Sequence, residues 1–168
     1  MAPPEAVPSK SPSVPSAEII RGDAATSAQS WPLVLVVEDD PDLREALSDL
    51  IAQRLGARVL DAADGAEALA LAAEERPDLV LTDWSMPRMG GAGLLRALRA
   101  DPRTRAVPIV LFSGAADRST AVEMGFDGYL SKPFGLSSLL PLLERLLSVA
   151  APLACSMVVQ RAVAVREW

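Results

Sequence analysis

Four short apolar runs in this chain each stop at an ionisable or hydroxyl residue, and that repeated ending limits the folds open to it. Leu33–Val37 runs directly into Glu38-Asp39-Asp40, and Leu79-Val80-Leu81-Thr82 ends at Asp83. The run over 107–112 stops at Ser113, and Tyr129-Leu130-Ser131 is followed by Lys132-Pro133. Runs this short and rich in β-branched residues read as strands buried on both faces, the mark of a parallel sheet. In an open parallel sheet, ligands bind beyond the carboxyl ends of the strands. The sequence therefore gathers Glu38, Asp39, Asp83, Ser113 and Lys132 at one sheet edge, a set suited to a hard cation and a phosphoryl group.

Helical patterns fill the intervals. A helix over 42–55 puts Leu43, Leu47, Leu50, Ile51 and Leu55 on one face, with Pro41 suiting its start and Gly56 its end. A weak strand over 57–60 leads to an Ala-rich helix over 65–76, stopped before Pro77. Further helices are expected over 92–100, ended by Asp101-Pro102, over 117–124, closed by Gly125, and over 136–149. Five βα units predict a doubly wound α/β domain over 32–149. Residues 1–31, with five prolines among Ser, Ala and Val, read as a disordered leader. Residues 150–168 complete no further unit: the apolar stretch 156–165 is cut off by Pro152 and reads as a tail or interface segment.

Composition narrows the chemistry. A net charge of −6 argues against nucleic acid, which a basic patch would attract. The chain has no histidine, so a Ser-His-Asp triad and a His-ligated zinc site are both excluded. Cys155 is the lone cysteine, so no intramolecular disulfide forms. The N-terminus lacks a signal-peptide pattern and no apolar run is long enough to cross a bilayer, so a cytoplasmic protein without membrane insertion is expected. Lysine occurs only at positions 10 and 132, against 14 Arg. Keeping Lys132 in the folded part fits a need for a compact point charge on a flexible stem.

Glu38-Asp39 with Asp83 is the central constellation. Consecutive carboxylates after a buried strand are ordinarily the turn into a capped helix, and Asp40-Pro41 is explained that way. Three carboxylates converging in one place repel each other, however, and a cation relieves the repulsion. Mg²⁺ matches, since it takes oxygen ligands from one or two carboxylates plus phosphate. A carboxylate beside Mg²⁺ can also attack a phosphoryl donor, with Lys132 as the neutralising ammonium. Ser113 either donates to a phosphoryl oxygen or caps the next helix. Tyr129 alone reads as a half-buried strand aromatic, and Gly90-Gly91-Ala92-Gly93 lacks the spacing of a nucleotide fingerprint.

In this order, Val36-Val37-Glu38-Asp39-Asp40-Pro41, Asp83 to Gly91, Ser113 and Tyr129 to Phe134 resemble the receiver domain of two-component response regulators. The resemblance covers residues 33 to about 148. It implies a flavodoxin-like (βα)5 fold with strand order 2-1-3-4-5. It also implies that Asp83 accepts a phosphoryl group from a histidine kinase or histidine phosphotransfer protein. Mg²⁺ would be bound by Asp39 and Asp83, by the backbone carbonyl of Ser85, and by Glu38 through water. Lys132 would pair with the phosphoryl oxygens, Ser113 would swing toward them, and Tyr129 would change rotamer in response. The readout is usually the face made by the fourth helix, fifth strand and fifth helix. Two glycines depart from the family pattern: Gly90 stands where Asp or Asn is commoner, and Gly114 where Ala is usual. The interval from Ser113 to Lys132 is also shorter than the family norm by about one helical turn, in the region that normally reports phosphorylation.

The expected function is thus a stand-alone, phosphorylatable receiver acting on an unknown protein target or serving as a phosphate sink. It is not an enzyme beyond phosphoryl transfer to its own aspartate and its own dephosphorylation. The alternatives are a phosphorylation-independent scaffold with the same fold, which the shortened interval favours, and a Mg²⁺-dependent phosphohydrolase, which lacks a general acid. A homodimer built on the apolar tail is compatible with the sequence. The tail covering the fourth-helix gap is a further expectation.

Overall fold

The computed structural model describes residues 31–150. The predicted leader up to residue 30 and the predicted tail from 151 lie outside the described residues.

Ten elements alternate along the chain: β1 (Leu33–Val37), α1 (Pro41–Leu55), β2 (Arg58–Ala62), α2 (Gly65–Glu75), β3 (Leu79–Asp83), α3 (Gly91–Ala100), β4 (Ile109–Ser113), α4 (Arg118–Met124), β5 (Gly128–Ser131) and α5 (Leu136–Ala150). The strands form one parallel sheet in the order β2-β1-β3-β4-β5. This is the doubly wound, flavodoxin-like arrangement expected from the sequence.

β1, β3 and β4 are buried along their whole length, and alternate side chains serve opposite faces. Leu35, Val37, Val80, Ile109 and Leu111 pack with Ala68, Ala72, Leu94, Leu95, Leu98 and Ala121 from α2, α3 and α4. Val34, Val36, Leu79, Leu81, Val110 and Phe112 pack on the other face with Leu47, Ile51, Leu139 and Leu143 from α1 and α5.

Local chemistry sets the element ends. Asp40 Oδ1 accepts from the N–H groups of Asp42 and Leu43 at 3.0 and 3.3 Å, capping α1, with Pro41 in its first turn and Gly56 left-handed at its end. Asp64 caps α2 and Asp117 caps α4 in the same way. The departures from expectation have equally local causes. The weak strand begins at Arg58, one residue late, and continues to Ala62, because an edge strand tolerates Asp61, whose Oδ1 accepts from Ser48 of α1. β4 begins at Ile109 rather than 107, since Pro108 has no N–H to donate and Val107 N–H closes a turn onto Thr104. Helix α5 carries Pro141 in its interior at an exposed position, with the N–H groups of Ser138 and Leu139 both on Gly135 O. The fourth helix is seven residues long, in keeping with the short interval read from the sequence.

Gly91 is required by close approach: a Cβ there would lie 2.4 Å from the carbonyl oxygen of Asp83. Gly91→Ala must therefore push the last residue of β3, and it is expected to cost about 1–3 kcal/mol in urea unfolding. Leu98→Ala, which empties a fully buried site in the α3 interface, is expected to cost about 2–5 kcal/mol in the same measurement.

Candidate functional site

The register of the sheet lines up the strand ends. Val37 pairs with Thr82, Asp83 pairs with Phe112, and Ser113 pairs with Ser131. Glu38, Asp83, Ser113 and Lys132 therefore emerge side by side at the carboxyl edge. Ligand oxygens of Glu38, Asp39 and Asp83 all lie within 4.8 Å of one another. Glu38 is only 2 % and Asp83 7 % exposed, while Asp39 faces solvent.

Lys132 holds this cluster together. Its Nζ lies 2.8 Å from Glu38 Oε2 and 2.8 Å from Asp83 Oδ1. Desolvation works against the ammonium, but its bonds to Asp83 and Glu38 outweigh that and hold it above the usual lysine range. Burial pushes the Glu38 carboxyl up, and the bonds from Lys132 and from Asp40 N–H offset this only in part. One ammonium against three carboxylates leaves two negative charges in a pocket lined by oxygen. That set fits a divalent hard cation, with no nitrogen or sulfur ligand in the cluster to favour a softer one.

Asp83 Oδ2 accepts from Ser85 N–H at 2.7 Å, which fixes the start of the loop between β3 and α3 beside the acceptor carboxylate. Ser113 is buried, and its Oγ accepts from Ala115 and Ala116 N–H at 3.0 and 2.9 Å. It thus organises the loop after β4, whereas the cap of α4 is Asp117. Accepting two N–H groups leaves the Ser113 O–H free to donate. Tyr129 OH donates to Ala116 O at 2.7 Å, so the same loop is tied from β5. Every residue picked from the sequence for the pocket lies at this edge, with Tyr129 reaching the adjoining loop.

Two contributors carry no signal in the one-dimensional pattern. Phe112, read simply as strand interior, lies under Lys132 with the ammonium 4.7 Å from its ring centroid, and Phe134 packs edge-on against it at 5.7 Å. Arg44 Nη1 donates to Glu38 O at 2.6 Å and pins the acidic turn from the first turns of α1. The position of Arg44 six residues beyond Glu38 becomes meaningful only once Pro41 starts a helix. Gly90, departing from the family pattern, is the N-cap of α3 and makes no side-chain cap bond.

Residues 34–144 match the family described as response regulator receiver domain. Among curated proteins, the transcriptional regulatory protein PrrA of Mycobacterium tuberculosis is 40% identical over 119 residues, covering 69% of this chain and 50% of PrrA. The chain spans half or less of the length of such curated relatives. Among solved structures, the chemotaxis protein CheY4 of Vibrio cholerae superposes with a TM-score of 0.64 at 33% identity, covering 69% of this chain and 98% of CheY4. The receiver domain of sensor histidine kinase PA1611 from Pseudomonas aeruginosa, with a magnesium ion coordinated in its active site cleft, gives 0.63 at 31% identity, covering 70% of this chain and 98% of that one. With its sheet order, its acidic cluster and this match, the chain belongs to the response regulator receiver family.

Proposed function

We propose that this receiver takes a phosphoryl group from a phosphohistidine of a histidine kinase or phosphotransfer protein onto Asp83, and that it passes the signal on through protein–protein contacts. The observation carrying this reading is the convergence of Asp83, Glu38 and Asp39 with the Lys132 ammonium at one sheet edge. Receiver domains bind Mg²⁺ at an acidic pocket and interact with histidine kinases or phosphotransfer proteins. Here Asp39, Asp83 and the Ser85 carbonyl would hold the ion directly and Glu38 through water. When bound, Mg²⁺ supplies positive charge to the oxygens of the transferring group.

The chain's own residues do the rest. An Asp83 carboxylate oxygen forms the new O–P bond as the P–N bond to the donor imidazole breaks, and the imidazole nitrogen keeps the bonding electrons. Lys132 then exchanges its bond to Asp83 for one to the phosphoryl group, and the free Ser113 O–H donates to another phosphoryl oxygen. Ser113 moving toward that oxygen loosens its hold on Ala115 and Ala116, and Tyr129, bound to Ala116 O, follows. The loop before α4 thereby becomes the element biased by phosphorylation.

The net charge of −6 supports contacts of this domain with protein rather than direct contact with nucleic acid. A scaffold that never accepts phosphate is favoured only by the seven-residue α4.

Incubation with Mg²⁺ and acetyl phosphate is expected to add one phosphoryl group in intact-mass measurement. Asp83→Asn or EDTA should abolish the gain. No gain together with no Mg²⁺ binding would transfer the assignment to the scaffold. Lys132→Ala separates binding from chemistry: removing the cation from between two carboxylates should tighten Mg²⁺ in a fluorescence titration, yet slow phosphorylation about 10²-fold.

A further inference from the structure

Arg88 sits in the loop between β3 and α3, the segment that carries Ser85, and its backbone is left-handed at φ 59°. That region favours glycine, and an arginine persists there only when something holds it. Among the described residues the other such side chain is Arg76, whose conformation is explained by its place at the end of α2, where its N–H bonds Ala72 O. Arg88 ends no helix. Its guanidinium instead ion-pairs with Oδ2 of Asp64.

Asp64 has no solvent exposure at all, although the Arg88 side chain is 67% exposed. Oδ1 of Asp64 caps α2 through Ala66 and Glu67 N–H at 2.7 and 3.1 Å, whereas Oδ2 has no hydrogen-bond partner among the described residues and is met only by the Arg88 charge. A buried carboxylate oxygen left unpaired is costly. Beside this pair, Gly65 N–H donates to Met89 O at 2.9 Å, and a Cβ on Gly65 would lie 2.7 Å from that oxygen. Two adjacent contacts, Asp64–Arg88 and Gly65–Met89, thus fasten the loop to the start of α2. At its other end the loop is held by Ser85 N–H on Asp83 and by Gly91 N–H on Trp84 O.

We propose that Arg88 is a positioning residue for the metal site: its ion pair with the buried Asp64 holds the β3–α3 loop so that the Ser85 carbonyl is presented to the cation. The proposal rests on the Mg²⁺ site of the functional reading above. Its sign is distinctive. Removing a nearby cation by itself favours a divalent ion at an acidic site, whereas releasing the loop withdraws a ligand and weakens it.

The test is a Mg²⁺ titration followed by Trp84 fluorescence in a Trp31→Phe, Trp168→Phe background. Arg88→Met is expected to weaken Mg²⁺ about tenfold. Arg88→Gly, which relieves the backbone strain while losing the same ion pair, should show the same loss. In an Asp64→Ser background, where a hydroxyl still caps α2 but nothing pairs with Arg88, Arg88→Met should change the affinity less than about twofold. Amide hydrogen exchange without metal should be faster over residues 85–91 in Arg88→Met, and this reading survives even if the Asp64 variant fails to fold. Unchanged or tighter Mg²⁺ binding in Arg88→Met, an equal loss with Asp64 absent, or unchanged exchange overturns the proposal. If the parent protein binds no Mg²⁺, the functional reading falls and this proposal falls with it. A parent that binds while Arg88→Met binds equally well overturns only the role of Arg88.

Discussion

Everything at the working edge of this domain depends on Lys132 lying between two carboxylates. Glu38 and Asp83 are nearly buried and close enough to repel, and the Lys132 ammonium between them offsets that repulsion. The ammonium reaches both at 2.8 Å with the Phe112 ring beneath it. It satisfies the pair without saturating the pocket, and that residual negative charge is what makes the edge receptive to a divalent ion.

The sheet supplies the rigidity this arrangement needs. β1 and β3 are central strands buried on both faces, so Glu38 and Asp83 project from backbone fixed by neighbours on either side. β5 is an edge strand, and Lys132 follows it immediately, with its N–H on Ser113 O at 2.9 Å. The acidic residues thus lie at the ends of central strands, while Tyr129 and Lys132 belong to the edge strand β5 and its end, with Ser113 on the neighbouring β4. The short α4 is tied through its preceding loop to Tyr129 and Ser113 on the same side of the sheet.

Much of this was legible in the order of residues. The apolar runs identified β1, β3 and β5 within a residue, because central and pocket-bearing strands are nearly continuous in hydrophobicity. β2 was misplaced because an edge strand carries Arg58 and Asp61, whose polarity hides it. The start of β4 was misplaced because hydropathy does not register the missing donor of Pro108. Phe112 and Arg44 could not be assigned to the site from sequence. Their contribution is a ring beneath an ammonium contributed by another strand and a guanidinium on a carbonyl, and neither contact has a period.

Sequence alone determined the fold class and the chemical inventory of the pocket, since strand burial and helix capping are local and the polar residues sit at the ends of recognisable runs. Tertiary structure decided which groups are partners. Asp64 and Arg88 are separated by a strand and its flanking helix, yet they form one ion pair. Lys132 meets Glu38 only because β5 and β1 end at the same sheet edge. Pairing across strands is set by register and by the burial of particular carboxylates, which are properties of the assembled sheet and not of any segment read by itself.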